Sequence, residues 1–171
     1  MTTITKDRRT ALDRRIQLTE REIPQRVAYL QRMLNISLDI TRLNEPLTKE
    51  QLSSARPSPY DPRSANALKI AKEGWSLRDI IGHGVIDYHP AIVGPGVEAA
   101  DHMQAWFEAG AADGFWISTD VYADGIDAFV DEVVPILQER GLFHLEYEGK
   151  TLRENLGVPD QYGIDPRINK K

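Results

Sequence analysis

The side chains best suited to chemistry crowd one short loop: His83, Asp87 and His89, spaced H-x3-D-x-H. An imidazole can donate or accept a proton near neutral pH, so His89 is a candidate acid, base or hydrogen-bond partner. The three together are conceivable metal ligands, but this spacing is no specific signature and catalytic metals usually draw ligands from fixed elements. No metal is therefore expected, and His102 and His144 read as surface residues. Gly94-Pro95-Gly96 at a helix start has the form of an anion-binding turn. Pro95 brings neither a hydroxyl nor an N–H to it, so it reads first as a turn. No Ser-His-Asp order, phosphate loop or dinucleotide fingerprint is present. The chain has no cysteine, which excludes a thiolate nucleophile, a disulfide and a cysteine-ligated metal.

These residues need a scaffold, and the stretch 89–118 supplies its pattern. Ala91-Ile92-Val93 is short and apolar, as a buried parallel strand is. Pro95 suits the first helical position. Val97, Ala100, Met103 and Trp106/Phe107 then recur at helical spacing. Gly110 to Gly114 breaks the helix, and Phe115-Trp116-Ile117 reads as the next strand, completing a right-handed βαβ unit. Asp124 is placed to cap a further helix with the stripe Ile126, Phe129, Val130, Val133, Val134 and Leu137. Pro135 should kink that helix, and Gly141 with Leu142 should close it in a Schellman turn. Packing explains the aromatic residues Trp106, Phe107 and Phe115.

The segments "WFEAGAADGFWIS" and "FVDEVVPILQERGLFHLEYEGKTLRENLG" resemble the carboxyl-terminal end of bacterial luciferase-like flavin-dependent monooxygenases. Within that superfamily the resemblance is to the group of nitrilotriacetate monooxygenase, pristinamycin synthase and dibenzothiophene-sulfone monooxygenase. It runs from about Val93 to Gly157, and "YLQRMLNISLDITRLNEPL" is similar to a linker of the same family. The resemblance implies an α/β fold: the carboxyl-terminal βαβα portion of a TIM barrel, with extra N-terminal helices and the barrel incomplete. A whole (β/α)₈ barrel takes at least about 200 residues and this chain has 171, so two barrel strands are expected.

The implied activity is FMN-dependent monooxygenation of a small organic substrate with O₂, the reduced flavin coming from a separate flavin reductase. His89 matches the histidine of the family's GHxxxVG pattern, which implies a hydrogen bond to the flavin adduct or the substrate. Trp116 is the residue that would stack on the flavin. The family's Val-Gly-Thr-Pro is replaced by Val93-Gly94-Pro95-Gly96, and its other phosphate contacts have no counterpart here. The competing expectation is a non-catalytic truncated paralogue or accessory subunit that associates with itself or with a barrel partner, because open strand edges invite pairing.

Three segments follow from the pattern. Residues 1–63 form helices and a Pro-rich loop, 64–145 the partial barrel, and 146–171 a tail. The first holds a charged helix over residues 6–22 whose Arg8, Arg9, Arg14 and Arg15 read as a solvated face balanced by Asp7, Asp13, Glu20 and Glu22. A second helix from Pro24 buries Val27, Leu30, Met33 and Leu34. Residues 35–63 read as a long irregular loop, largely disordered. Ser64 to Glu73 returns to helix, Ser76 caps a short one, Thr151 to Leu156 makes a turn of helix, and Gly163 to Lys171 should fray. A net charge of −5 argues against nucleic-acid binding. No apolar run approaches a membrane span and no secretory leader is evident, so a cytoplasmic protein is expected, with a homo-oligomer among its forms.

Overall fold

A computed structural model describes residues 1–158, and the expected fraying of Gly163 to Lys171 lies outside them. The element order is β1 (Thr2–Ile4), α1 (Arg8–Leu18), a 3₁₀ turn (Glu20–Glu22), α2 (Ile23–Leu34), a second 3₁₀ turn (Ile40–Arg42), α3 (Lys49–Ser54), α4 (Arg63–Lys72), α5 (Leu77–Gly82), β2 (Ile92–Gly94), α6 (Gly96–Glu108), α7 (Tyr122–Glu132), α8 (Val134–Glu139) and α9 (Leu152–Asn155).

The strand at Ile92–Gly94 is the one expected, but its neighbour is not. It pairs in parallel with β1, Thr2 opposite Ile92 and Ile4 opposite Gly94. Phe115 to Ile117 forms no strand; the chain reaches the sheet only at Thr119, in a single parallel bridge to Thr2. Thr2 N–H donates to Ser118 O at 2.8 Å and Asp120 N–H to Thr2 O at 3.1 Å. β1 thus lies between β2 and Thr119. Thr2, Thr3 and Ile4 are all buried, and two β-branched threonines with an isoleucine suit a half-covered pleated surface. That short run carries the local signal for β1, far from the pattern of residues 89–118.

The core of the described residues consists of a small cluster of Ala11, Leu12 and Val93 and two bigger ones. The larger is helical, with Ile16 of α1, Ile23, Val27, Leu30, Met33 and Leu34 of α2, Ala67 and Ala71 of α4, and Leu77, Ile80 and Ile81 of α5. The apolar face read for α2 is the one buried. The smaller of these two holds Ile4, Ala99, Ala100, Met103 and Val133. On α6 the inward residues are therefore Ala99, Ala100 and Met103, whereas Val97, Trp106 and Phe107 of the expected stripe are more than two-fifths exposed. A helix carrying small residues on its inner face approaches the strands closely and leaves its large ones on the flank.

The loop expected to be irregular is instead held down. Leu47 and Ala55 are buried, and α3 is fixed by a capping box between Thr48 and Gln51. Backbone hydrogen bonds tie Arg56 to Leu34, Ser58 to Met33, Leu77 to Glu45 and Arg78 to Leu43. At Asp61, the Arg63 guanidinium and the Tyr29 hydroxyl converge, and Arg63 holds the carboxyl down to about 2. Prolines break helical period here without costing order, because neighbouring helices satisfy the backbone groups.

Local signals elsewhere are borne out. Ser76 accepts from Asp79 N–H at the start of α5. At Pro135 the outcome goes further than the expected kink: the helix is divided into α7 and α8 at Val133. Gly141 has φ 68°, and Leu142 N–H reaches Leu137 O at 2.9 Å, closing a Schellman turn. Two caps differ. Pro95 is the N-cap of α6, with Gly96 first in the helix. Val121, not Asp124, caps α7, and Asp124 lies within its first turn.

Gly96 sits where α6 crosses α7: a Cβ there would lie 2.6 Å from Glu132 O. Gly96→Ala is expected to cost about 1–3 kcal/mol through this overpacking, read as a lowered urea midpoint at unchanged slope.

Candidate functional site

The strands are parallel, so their two ends present different chemistry. At the amino-terminal ends lies a cleft of about 590 Å³ lined by His89, His102, Trp106, Phe115 and Trp116, among others. It brings together the two residues singled out from the sequence. His89 precedes β2, is exposed, and meets the Tyr88 ring edge-on at 5.0 Å. Trp116 is 96% exposed at the rim. His102, 5.2 Å from Trp106 between ring centres, is pushed below its ordinary pKa by burial. It lies on the wall between two clefts rather than on open surface.

The carboxyl-terminal ends, where parallel α/β folds usually bind and react, are filled by ion pairs. The Glu98 carboxylate, in the first turn of α6, lies over Gly94, so that a Cβ on Gly94 would meet it at 2.8 Å. Glu98 also pairs with Arg8. The anion position at this helix start is therefore taken by the chain's own carboxylate, and Gly94-Pro95-Gly96 is a turn, as its sequence implied. Beside it Arg14 grips Asp120 at 2.7 and 3.1 Å and Asp124 at 2.7 Å through both terminal nitrogens.

The arginines of α1 thus form a solvated face only in part: Arg9 stays exposed, while Arg15 is buried. Arg8 meets Glu98, Arg9 meets Asp13 and Asp79, Arg14 meets Asp120 and Asp124, and Arg15 meets Asp87. Arg15 is 2% exposed. Burial pulls its pKa down and nearby Arg26 adds to this, while Asp87 opposes both. Of the four acids expected to balance the arginine cluster, only Asp13 pairs with it; the other partners come from α5, α6, α7 and their adjoining loops.

His83, Asp87 and His89 are not assembled as a triad. Asp87 is held by Arg15 and Arg26, His83 is buried with its Nδ1 against Asp79 O at 2.7 Å, and His89 faces solvent. Among the described residues no group of three or more His, Cys, Asp or Glu is arranged to hold a metal ion. Nor is any helix among them long and apolar enough to cross a membrane.

The residues present fit FMN only in part. Trp106, Phe115 and Trp116 offer flat surface for a ring, but no Arg or Lys lines their cleft, and the α6 start is occupied by Glu98. Neither the aromatic cleft nor the α6 start therefore offers an FMN phosphate site.

No family model matches the chain. N-acetyl-S-(2-succino)cysteine monooxygenase of Bacillus subtilis (strain 168) is 53% identical over 70 residues, 41% of this chain and 16% of that protein. A pristinamycin IIA synthase polypeptide of Streptomyces pristinaespiralis is 33% identical over 154 residues, 84% of this chain and 36% of that protein. Among solved structures, EDTA monooxygenase from Chelativorans sp. BNC1 superposes with a TM-score of 0.58 at 28% identity, over 92% of this chain and 37% of that one. The chain spans little more than a third of the length of these relatives at most.

Proposed function

Because the chain belongs to the luciferase-like group of flavin-dependent monooxygenases, matching part of their TIM-barrel fold, we propose that it contributes the carboxyl-terminal portion of such a barrel. The reaction it serves is insertion of one oxygen atom from O₂ into a small organic substrate, with FMN reduced by a separate flavin reductase. Its part is structural: it docks its small open sheet against further barrel strands, in another copy or in a barrel partner, and does not itself form a complete oxygenating centre. The observation that carries this reading is the filling of the strands' carboxyl-terminal ends by Glu98–Arg8 and by Arg14 with Asp120 and Asp124. A barrel of this kind keeps that end for its substrate and cofactor.

A second reading has one observation in its favour. His89 and Trp116 line a single cleft, so a flavin ring held against Trp116 would place His89 within reach of it. FMN titration followed by flavin fluorescence, with mass in solution recorded alongside, separates the two. The expected result is no saturable binding to the monomer up to high micromolar FMN, and binding only in an assembled form. Tight binding to the monomer, lost in His89→Ala, would overturn the docking reading and establish the cleft as a flavin site.

A further inference from the structure

A further cleft, of about 390 Å³, opens between α6, α7 and α8, beside the turns that follow α6 and α8. Part of its wall is already packed: Met103, Ile117, Phe129 and Leu137 belong to the core built on Ile4 and Val133. The Schellman turn fixes Leu142 at the α8 end, through its N–H to Leu137 O. The rest of the wall is open. Phe107 and Phe143 line the same cleft and are each about half exposed. Such rings are apolar surface that an occupant would remove from water. The volume falls in the ~300–1,000 Å³ range of small-molecule sites.

The polar members decide what that occupant carries. Gln104 is already engaged: its side-chain N–H donates to Glu108 at 2.7 Å, and its carbonyl accepts from Arg140 at 2.9 Å. Arg140 in turn pairs with Asp101 at 2.7 Å, so its charge is met outside the cleft. Asp113 is the one charged residue in the lining. It is exposed, and among the described residues no cation pairs with it. Glu108 adds a second negative charge next to Gln104. An apolar cleft with an uncompensated carboxylate attracts a cation that has an apolar body and repels an anion of the same shape. Phenylalanine rings add favourable surface for an ammonium group.

We propose that this cleft binds a small amphiphilic amine, an aromatic or branched aliphatic body bearing one primary ammonium group. The body fills the space between Met103, Phe129, Leu137 and Leu142, and the ammonium meets Asp113. Met103, Phe115 and Ile117 also line the cleft of His89 and Trp116, but His89, His102 and Trp116 do not line this one. The site is therefore separate, and it rests neither on flavin binding nor on the docking reading.

2-Phenylethylamine, a cation at neutral pH, is the probe; 2-phenylethanol is its neutral match in shape, and phenylacetate the anionic one. Titration of the full chain at low salt is followed by NMR of the methyl groups of Met103, Val134, Leu137 and Leu142. The expected result is saturable millimolar binding of the amine, about three- to fivefold tighter than the alcohol, the scale of one exposed ion pair. Phenylacetate should bind more weakly than either. Asp113→Asn keeps the size of the side chain and should bring amine and alcohol to equal affinity without changing the alcohol's. Phe143→Ala removes apolar wall and should weaken both together. Equal binding of amine and anion, a preference that survives in Asp113→Asn, shifts confined to the cleft of His89 and Trp116, or no saturation would each overturn the proposal. So would binding that disappears as the chain concentration rises, the mark of a second copy seated in the cleft.

Discussion

Asp87→Ala is expected to lower stability by about 3–5 kcal/mol, because it strands a buried arginine. Arg15 sits on α1 with 2% of its surface exposed. Its guanidinium meets Asp87 through one terminal nitrogen and the Met1 sulfur through the other, while Nε has no partner. Asp87 is shared with Arg26 at 3.1 Å, so one carboxylate compensates two cations. Its removal leaves a desolvated charge next to a like one. The double replacement Arg15→Met with Asp87→Ala should recover most of the loss, since an apolar side chain of similar length asks for no counter-charge. Urea unfolding of the two variants checks both statements. A loss below about 1 kcal/mol for Asp87→Ala would mean that water reaches Arg15 and the pair is no stronger than a surface one.

Leu30→Ala is expected to cost about 2–5 kcal/mol, whereas Ile126→Ala should cost well under half as much. Both residues sit at an apolar position of an amphipathic helix, but Leu30 is fully buried in the helical core and Ile126 is 47% exposed on α7. Truncating Leu30 leaves a cavity that close-packed neighbours cannot fill. Truncating Ile126 removes contacts from a face already open to solvent. If Ile126→Ala proved as costly as Leu30→Ala at concentrations where the chain associates, and mild when it is monomeric, the α7 face would be an assembly surface. That outcome would support the docking role proposed for this chain.

The contrast between these residues shows where local pattern ends. The stripe from Ile126 to Leu137 marks a helix disturbed at Pro135, and the helical segments α7 and α8 are there. The same stripe says nothing about burial: Val133 is fully covered, Ile126 and Val130 are half exposed. A hydrophobic period fixes which face is apolar, and only a neighbour fixes whether that face is dry. Likewise His89 and Trp116 were legible as residues with chemistry, and their common cleft was not.

By itself the sequence determined what depends on residues a few positions apart: the α2 face, the Ser76 cap, a disturbance of the helix at Pro135, the Schellman turn at Gly141, and a family resemblance carried by contiguous segments. Tertiary structure decided what depends on distant partners. Thr2–Ile4 became a strand because residues 92–94 lie beside it. The arginines of α1 became buried or paired because acids 106, 90 and 72 positions away reach Arg14, Arg8 and Arg15. Strand pairing and ion pairing act through space, with no periodicity along the chain to announce them, so the end of the sheet that is filled and the cleft that is open exist only in the fold.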